Sequence, residues 1–245
     1  MAFLFAQVPE LFADAPLLPV PLLSPEHSAS VVERVLDLAD LWQQRADADF
    51  YTLGAASYLD GAWDGQPYSA LAQRCNPILA DRFADLYRLL AATLADLIGP
   101  VAFEPELALP GFHVFSPKPG LPLHAASKAL AAAGGSVHFD LQHHAHTTFW
   151  SRYDAVDWKH PLSFTVALQL PAAGGGLQFW PGCVDALAPT PSSAQSVAYR
   201  VGEMVLFMLP LRHQIAPVQS LIPGDRRITL QGHGLRCDGV WRLYF

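Results

Sequence analysis

Gly134-Gly135-Ser136-Val137-His138-Phe139-Asp140-Leu141-Gln142 reads as a short β-prone segment opened by a glycine pair. Side chains alternate faces along a strand, so His138, Asp140 and Gln142 project to one side and Phe139 and Leu141 to the other. An imidazole and a carboxylate two residues apart are two donors of a metal site, and a second histidine would complete a facial set of three. The reading of this segment as a strand decides the rest, because it makes the surrounding chain a β-structure that carries chemistry on one face.

The surrounding text agrees. Leu107 to Ser116, Ser136 to Leu141, Thr147 to Tyr153, Leu162 to Leu170, Gly176 to Trp180, Gln195 to Arg200, Met204 to Leu209, His213 to Val218 and Arg226 to His233 are short strand candidates separated by Gly, Pro and polar turns. Such a succession, without helical periodicity between members, predicts a sandwich, jelly roll or barrel. Ala125 to Ala133 is the exception, an Ala-rich stretch that predicts a short helix or loop.

Before Pro100 the pattern is helical. Ser24-Pro25-Glu26 offers an N-cap, a proline at the first helical position and an acid in the first turn. Val31, Val35, Leu38 and Trp42 follow at spacings of three and four, predicting a helix to about Gln44. Phe50 to Leu59 turns β-like, and Asp60 to Pro67 reads as a loop. Asn76-Pro77 predicts the start of a second helix, with Leu79, Phe83, Leu86, Leu90, Leu94 and Leu97 as its stripe and Gly99-Pro100 as its end. These helices should pack on one face of the sheet. The expectation is one domain over residues 1–245, mainly β with flanking helices, in which 1–106 is an N-terminal arm with helical support and 107–245 the β core.

Composition narrows the partners. A formal charge of −7 disfavours nucleic acid, whose phosphates need clustered Lys and Arg. Met1 to Leu23 is apolar but lacks a basic start, contains Glu10 and Asp14 and is broken by four prolines, so it reads as an extended arm rather than a targeting segment. No run of roughly 18 apolar residues predicts a membrane span. Three widely spaced cysteines without a CxxC pair argue against a disulfide framework or structural zinc and for reduced thiols in the cytoplasm. The expected partner is a small molecule, an amino acid or a peptide residue; nothing in the sequence assigns an oligomeric state.

His213 supplies the candidate third donor, a polar ring set into the apolar strand Phe207 to Val218. A buried histidine needs a hydrogen-bond partner or a metal. Beyond it, Pro223-Gly224-Asp225 turns into Arg226-Arg227-Ile228-Thr229-Leu230-Gln231, where alternation places Arg227, Thr229 and Gln231 on one face. An inward arginine calls for an anion, and its planar fork binds a carboxylate through two parallel hydrogen bonds.

His138-Phe139-Asp140, the distal His213 and Arg227-Ile228-Thr229 together resemble the iron(II)- and 2-oxoglutarate-dependent oxygenases, over roughly residues 107–235. The resemblance implies a double-stranded β-helix, iron(II) held by His138, Asp140 and His213, and 2-oxoglutarate held by Arg227 and Thr229, with Thr229 distinguishing Arg227 from Arg226. It implies O₂ as co-reactant and release of succinate and CO₂. Halogenases related to this family replace the carboxylate by a small residue, so Asp140 favours hydroxylation, with desaturation, ring formation and epimerisation open. A cupin-like metal protein without a keto acid and a non-catalytic ligand-binding barrel are the alternatives.

Other residues are expected near the site. His143, His144 and His146 follow the motif closely; a His144/His146 chelate competes with the triad, whereas loop residues at a pocket mouth are the simpler reading, and His144 could meet substrate. Gln142 shares the face of the motif and would touch substrate or support a ligand. Trp180 is a core anchor or part of a pocket wall. His113 reads as structural. Substrate-setting loops are expected at Asp60 to Pro67, Pro117 to Ala133 and Pro181 to Ser193.

Overall fold

The computed structural model describes residues 9–12, 15–45, 50–116, 137–181, 194–208, 211–220 and 225–245. The Ala125 to Ala133 expectation, the glycine pair before the motif and most of the two later substrate loops lie outside these.

The strands in chain order are β1 (Leu18–Pro21), β2 (Gln43–Gln44), β3 (Phe50–Leu53), β4 (Val101–Phe103), β5 (Gly111–Phe115), β6 (Leu162–Gln169), β7 (Ala173–Gly174), β8 (Leu177–Trp180), β9 (Gln195–Val197), β10 (Glu203–Phe207), β11 (Arg212–Ile215), β12 (Val218–Ser220), β13 (Arg227–Cys237) and β14 (Val240–Tyr244). The large sheet runs β1-β10-β6-β13-β5-β3-β2, with β14 paired to β13 and β4 to β14. A smaller sheet runs β11-β8-β9, and β12 pairs with β7. The pairings are antiparallel except β14 with β4. This is the mostly antiparallel jelly-roll architecture that the strand pattern predicts.

Alternation along the large sheet sorts its side chains into two layers. Phe112, Val114, Val166, Leu206, Ile228 and Leu230 face the helices and share one buried cluster with them. Ala167, Val205 and Phe207, from the other face, pack with Leu177 and Phe179 of the smaller sheet. Arg227, Thr229, Gln231 and His233 fall on that second face, between the sheets, which is where the polar chemistry collects.

The helices are α1 (Pro25–Asp37), α2 (Ser57–Asp60), α3 (Gln66–Arg82), α4 (Ala84–Ile98), α5 (Gln142–Ala145) and α6 (Thr147–Trp150). Ser24 caps α1 as expected, its Oγ accepting the His27 amide at 3.2 Å. The helix stops at Asp37, short of the predicted Gln44, and the Trp42 indole turns back to donate to Val35 O at 3.1 Å. Ser57 to Leu59, read as β-like, and Asp60, read as the start of a loop, form the short helix α2. The helix expected from Asn76 begins at Gln66 and carries Pro77 inside it. Asn76 does not cap because its side chain is used elsewhere: Nδ2 donates to Leu107 O and Oδ1 accepts the Leu109 amide. The stripe is also broken, since Phe83 (φ −124°, ψ 26°) separates α3 from α4.

Two further corrections lie beside the motif. Thr147 to Tyr153, β-like by its threonines and aromatics, forms α6 and a turn, because Phe149 and Trp150 are both buried, with Trp150 against Tyr244 and Tyr153. Of the strand expected over Ser136 to Leu141, the described part, Val137 to Leu141, is not a strand: its one ladder contact is an isolated bridge, His138 to His213, and α5 begins at Gln142. Among the described residues, no helix is long and apolar enough to cross a membrane.

Candidate metal centre

The bridge that replaces the expected strand brings the predicted donors together. His138 N donates to His213 O and His213 N to His138 O, each at 2.9 Å, so two histidines distant in sequence are locked side by side. Their rings lie 4.4 Å apart. Asp140 sits between them, with Oδ1 3.7 Å from His138 Nε2 and Oδ2 3.7 Å from His213 Nε2. One donor atom from each residue fits within a mutual spacing of 4.8 Å. Both contacts are longer than a hydrogen bond, so the imidazoles and the carboxylate converge without satisfying one another, as groups that share a cation do.

The protonation states suit that role. His213 Nδ1 meets Leu211 O at 2.7 Å, so Nδ1 carries the proton and Nε2 keeps its lone pair toward Asp140. Burial pushes His213 below its ordinary value, only partly offset by Asp140. Burial of Asp140 would raise its carboxyl, but His213, His233 and His138 around it and a hydrogen bond from Ser163 hold it well below the usual carboxylate range. Gln142 Nε2 donates to Asp140 Oδ1 at 3.2 Å and fixes the carboxylate's orientation. Two imidazoles and an ionised carboxylate are a donor set that fits iron(II).

These residues open onto a cavity of about 740 Å³, counting the space at its mouth. Arg227 lines it from β13 at 1% exposure, and among the described residues it makes no ion pair. Its Nε donates to Gly175 O at 2.8 Å and Nη1 reaches Thr229 Oγ1 at 3.4 Å, while Phe115 and Tyr199 lie under the guanidinium at 5.6 and 5.7 Å. A buried cation without a counter-charge is destabilising, so the fork is arranged for an anion that enters the cavity. Thr229 is fully buried behind the guanidinium rather than on the cavity surface. Arg226 points elsewhere, with Nε donating to Ser116 Oγ at 3.2 Å.

His144 and Trp180 do not line the cavity. His144 is exposed and stacked on Trp158, because α5 turns it away from the motif. Trp180 falls on the face of β8 opposite Leu177, which does line the cavity, and is buried as an anchor. The His144/His146 chelate is not formed: His146 Nδ1 accepts the Trp63 amide at 3.1 Å, and among the described residues His138, Asp140 and His213 form the group able to hold a metal.

Several cavity residues escaped the sequence reading. His233 lies two positions past Gln231 on the same face of β13 and bonds Ser163 Oγ through Nδ1 at 3.1 Å; continuing the alternation would have found it. His113, expected to be structural, faces the cavity from β5 directly opposite Thr229. Tyr58 and Tyr199 carried no local signal.

No family model matches the chain, and no curated protein matches it in sequence. Solved structures do. An N-substituted L-amino acid dioxygenase from Burkholderia ambifaria AMMD in complex with alpha-KG is 14% identical, with a TM-score of 0.55 over 98% of this chain and 90% of that one. A second structure of a dioxygenase of that description from the same organism gives 13%, 0.53 and the same coverage. A prolyl-4-hydroxylase from Pseudomonas putida covers 99% of both chains at 15% identity with a TM-score of 0.46. At such identities the likeness to the two dioxygenase structures shows the fold alone.

Proposed function

We propose that this protein is a non-haem iron(II)- and 2-oxoglutarate-dependent dioxygenase that hydroxylates an unactivated C–H bond of a small metabolite, amino acid or peptide residue. The observation that carries this reading is the meeting, in one cavity, of the convergent His138, Asp140 and His213 donors with the buried guanidinium of Arg227, which makes no ion pair among the described residues. His138, Asp140 and His213 would hold iron(II). Arg227, braced by Thr229 and Gly175 O, would hold the distal carboxylate of 2-oxoglutarate. Iron(II), when bound, supplies the coupling of oxidative decarboxylation of the keto acid by O₂, giving succinate and CO₂, to oxidation of the substrate.

This chain's own residues set the conditions for that chemistry. The Leu211 carbonyl selects the His213 tautomer that can donate through Nε2. Gln142 orients Asp140, whose carboxylate keeps the site of the hydroxylating rather than the halogenating kind. Phe115, Tyr199 and Phe207 wall the cavity with aromatic surface and limit water around the anion site. Incubation with iron(II), 2-oxoglutarate and air tests the reading: succinate should form in amounts that depend on all three. No succinate and no keto-acid consumption at any iron(II) concentration would refute it.

A further inference from the structure

In the function proposed above, on which this inference rests, Arg227 meets the distal carboxylate of the keto acid, and the motif would offer Thr229 as a second donor. Thr229 does not reach the cavity: it is fully buried, with Oγ1 3.4 Å from Arg227 Nη1. The residue directly across the ladder from it, His113 of β5, does line the cavity. Phe115, on the same face of β5, is paired with Arg227, so His113 is the diagonal neighbour of Arg227, a separation that long side chains bridge.

The tautomer of His113 follows from its partner. The Tyr58 hydroxyl lies 2.6 Å from His113 Nε2, closer than N–H···O bonds run, so the hydroxyl donates and Nε2 accepts. Burial raises the Tyr58 phenol, which keeps its proton; burial, with Arg227 and Arg45 adding to it, holds His113 well below its ordinary value and neutral. A neutral imidazole has one N–H, which is then on Nδ1. Nδ1 makes no hydrogen bond among the described residues and is not one of the polar atoms closed off from solvent, so this N–H opens onto the cavity that the ring lines.

The surroundings hold the pair in place. Asp60 ties down α2, which carries Tyr58, by accepting Arg45 Nη1 and Nη2 at 2.5 and 2.8 Å and the Ala56 amide at 2.8 Å. Arg45 Nε in turn donates to Thr52 Oγ1 of β3 at 2.8 Å. Phe50 and Phe245 flank the imidazole, with ring centres 5.1 and 5.3 Å from it.

We propose that His113, through Nδ1–H, is the second donor to the distal carboxylate of the keto acid, in the place that Thr229 does not reach, and that Tyr58 is the positioning residue that fixes its tautomer. Thr229 then acts on the guanidinium alone.

The test reads binding to the full chain loaded with cobalt(II) under argon. Calorimetric titrations compare 2-oxoglutarate with 2-oxopentanoate, which keeps the keto-acid end and carries a methyl group where the distal carboxylate stands. The ratio of the two affinities isolates that carboxylate. His113→Phe should lower the ratio at least about tenfold, the loss of a hydrogen bond to a charged group, while 2-oxopentanoate and cobalt(II) bind as in wild type. His113→Asn, whose Nδ2 stands where Nδ1 did, should recover the ratio to within about threefold of wild type, and Tyr58→Phe should lower it about threefold. Thr229→Val should lower it less than His113→Phe does. A ratio unchanged in His113→Phe, equal loss of both keto acids in that variant, or no recovery in His113→Asn overturns the proposal. Should His113→Phe fail to fold, Tyr58→Phe decides, at a ring that is 47% exposed, and an unchanged ratio there overturns it. A wild-type protein that binds cobalt(II) but does not prefer 2-oxoglutarate overturns the functional reading instead.

Discussion

Asp140 and Arg227 face the same cavity from backbones of opposite character. The Val137 to Leu141 segment touches the ladder at one bridge, and His138 is 44% exposed at its side chain. Arg227 opens an 11-residue strand at the middle of the large sheet, bonded to β5, β6 and β14, and is 1% exposed. Two of the three candidate metal donors, His138 and Asp140, thus sit on a segment held to the fold by one bridge, whereas the candidate anion anchor sits on the strand around which the sheet is assembled. The difference predicts that function and stability separate on one side of the cavity and not on the other.

Asp140→Ala should give the largest effect. Outer partners of a metal ligand are worth about 10–100-fold in affinity, so removing a charged ligand should exceed about 100-fold for cobalt(II), with the melting temperature of the metal-free protein close to wild type. A titration and a thermal melt on one preparation check both halves; parallel loss of fold would break the contrast. Arg227→Ala should come next, weakening 2-oxoglutarate on the order of 100-fold while the metal affinity moves little, since a charge-assisted bidentate contact is lost. Arg227→Lys should restore only part, because an ammonium lacks the planar fork.

Gly232→Ala sharpens the other half. A Cβ there would meet Phe164 Cζ at 2.5 Å, and Phe164 is 1% exposed, so about 1–3 kcal/mol of stability should be lost on unfolding by denaturant while metal stoichiometry is kept. The smallest effect is in pH. His143 and His146 are pushed down to about 4, foremost by burial, so between pH 6.5 and 4 the unfolded chain binds protons that the native chain does not. Stability should be complete above pH 6.5 and fall on acidification through that window, a trend that calorimetric melts at pH 7.5 and 5 will show. Asp140, held low, contributes in the same sense only below the ordinary carboxylate value.

The convergence of the candidate site residues was legible because they carry chemistry that the local structure cannot hide. His138, Asp140, His213 and Arg227 follow from alternation and from the difficulty of burying charge, and they meet as expected even though the strand proposed for the first two is a single bridge. Boundaries were less legible where tertiary contacts override local signals. Asn76-Pro77 looks like a helix start, but the Asn76 side chain bridges Leu107 and Leu109, and the helix runs through Pro77. Thr147 to Tyr153 looks like a strand, but burial of Trp150 against Tyr244 and Tyr153 makes it helical. The C-terminal hairpin was readable and passed over: Asp238-Gly239, at φ 49° and 83°, is a turn pair that favours a tight hairpin, and it extends β13 to Cys237. Tyr58 and His113 could not be joined from sequence, because nothing local says that a residue of α2 will reach β5.

The central claim is that the convergent donors and the buried guanidinium form one site for iron(II) and a keto acid. Anaerobic titration of the wild-type protein with iron(II) and then 2-oxoglutarate tests it most directly. A weak visible charge-transfer band should grow to one equivalent of keto acid and be lost in Asp140→Ala. A wild-type protein that binds iron(II) yet develops no such band on saturation with 2-oxoglutarate would contradict the account.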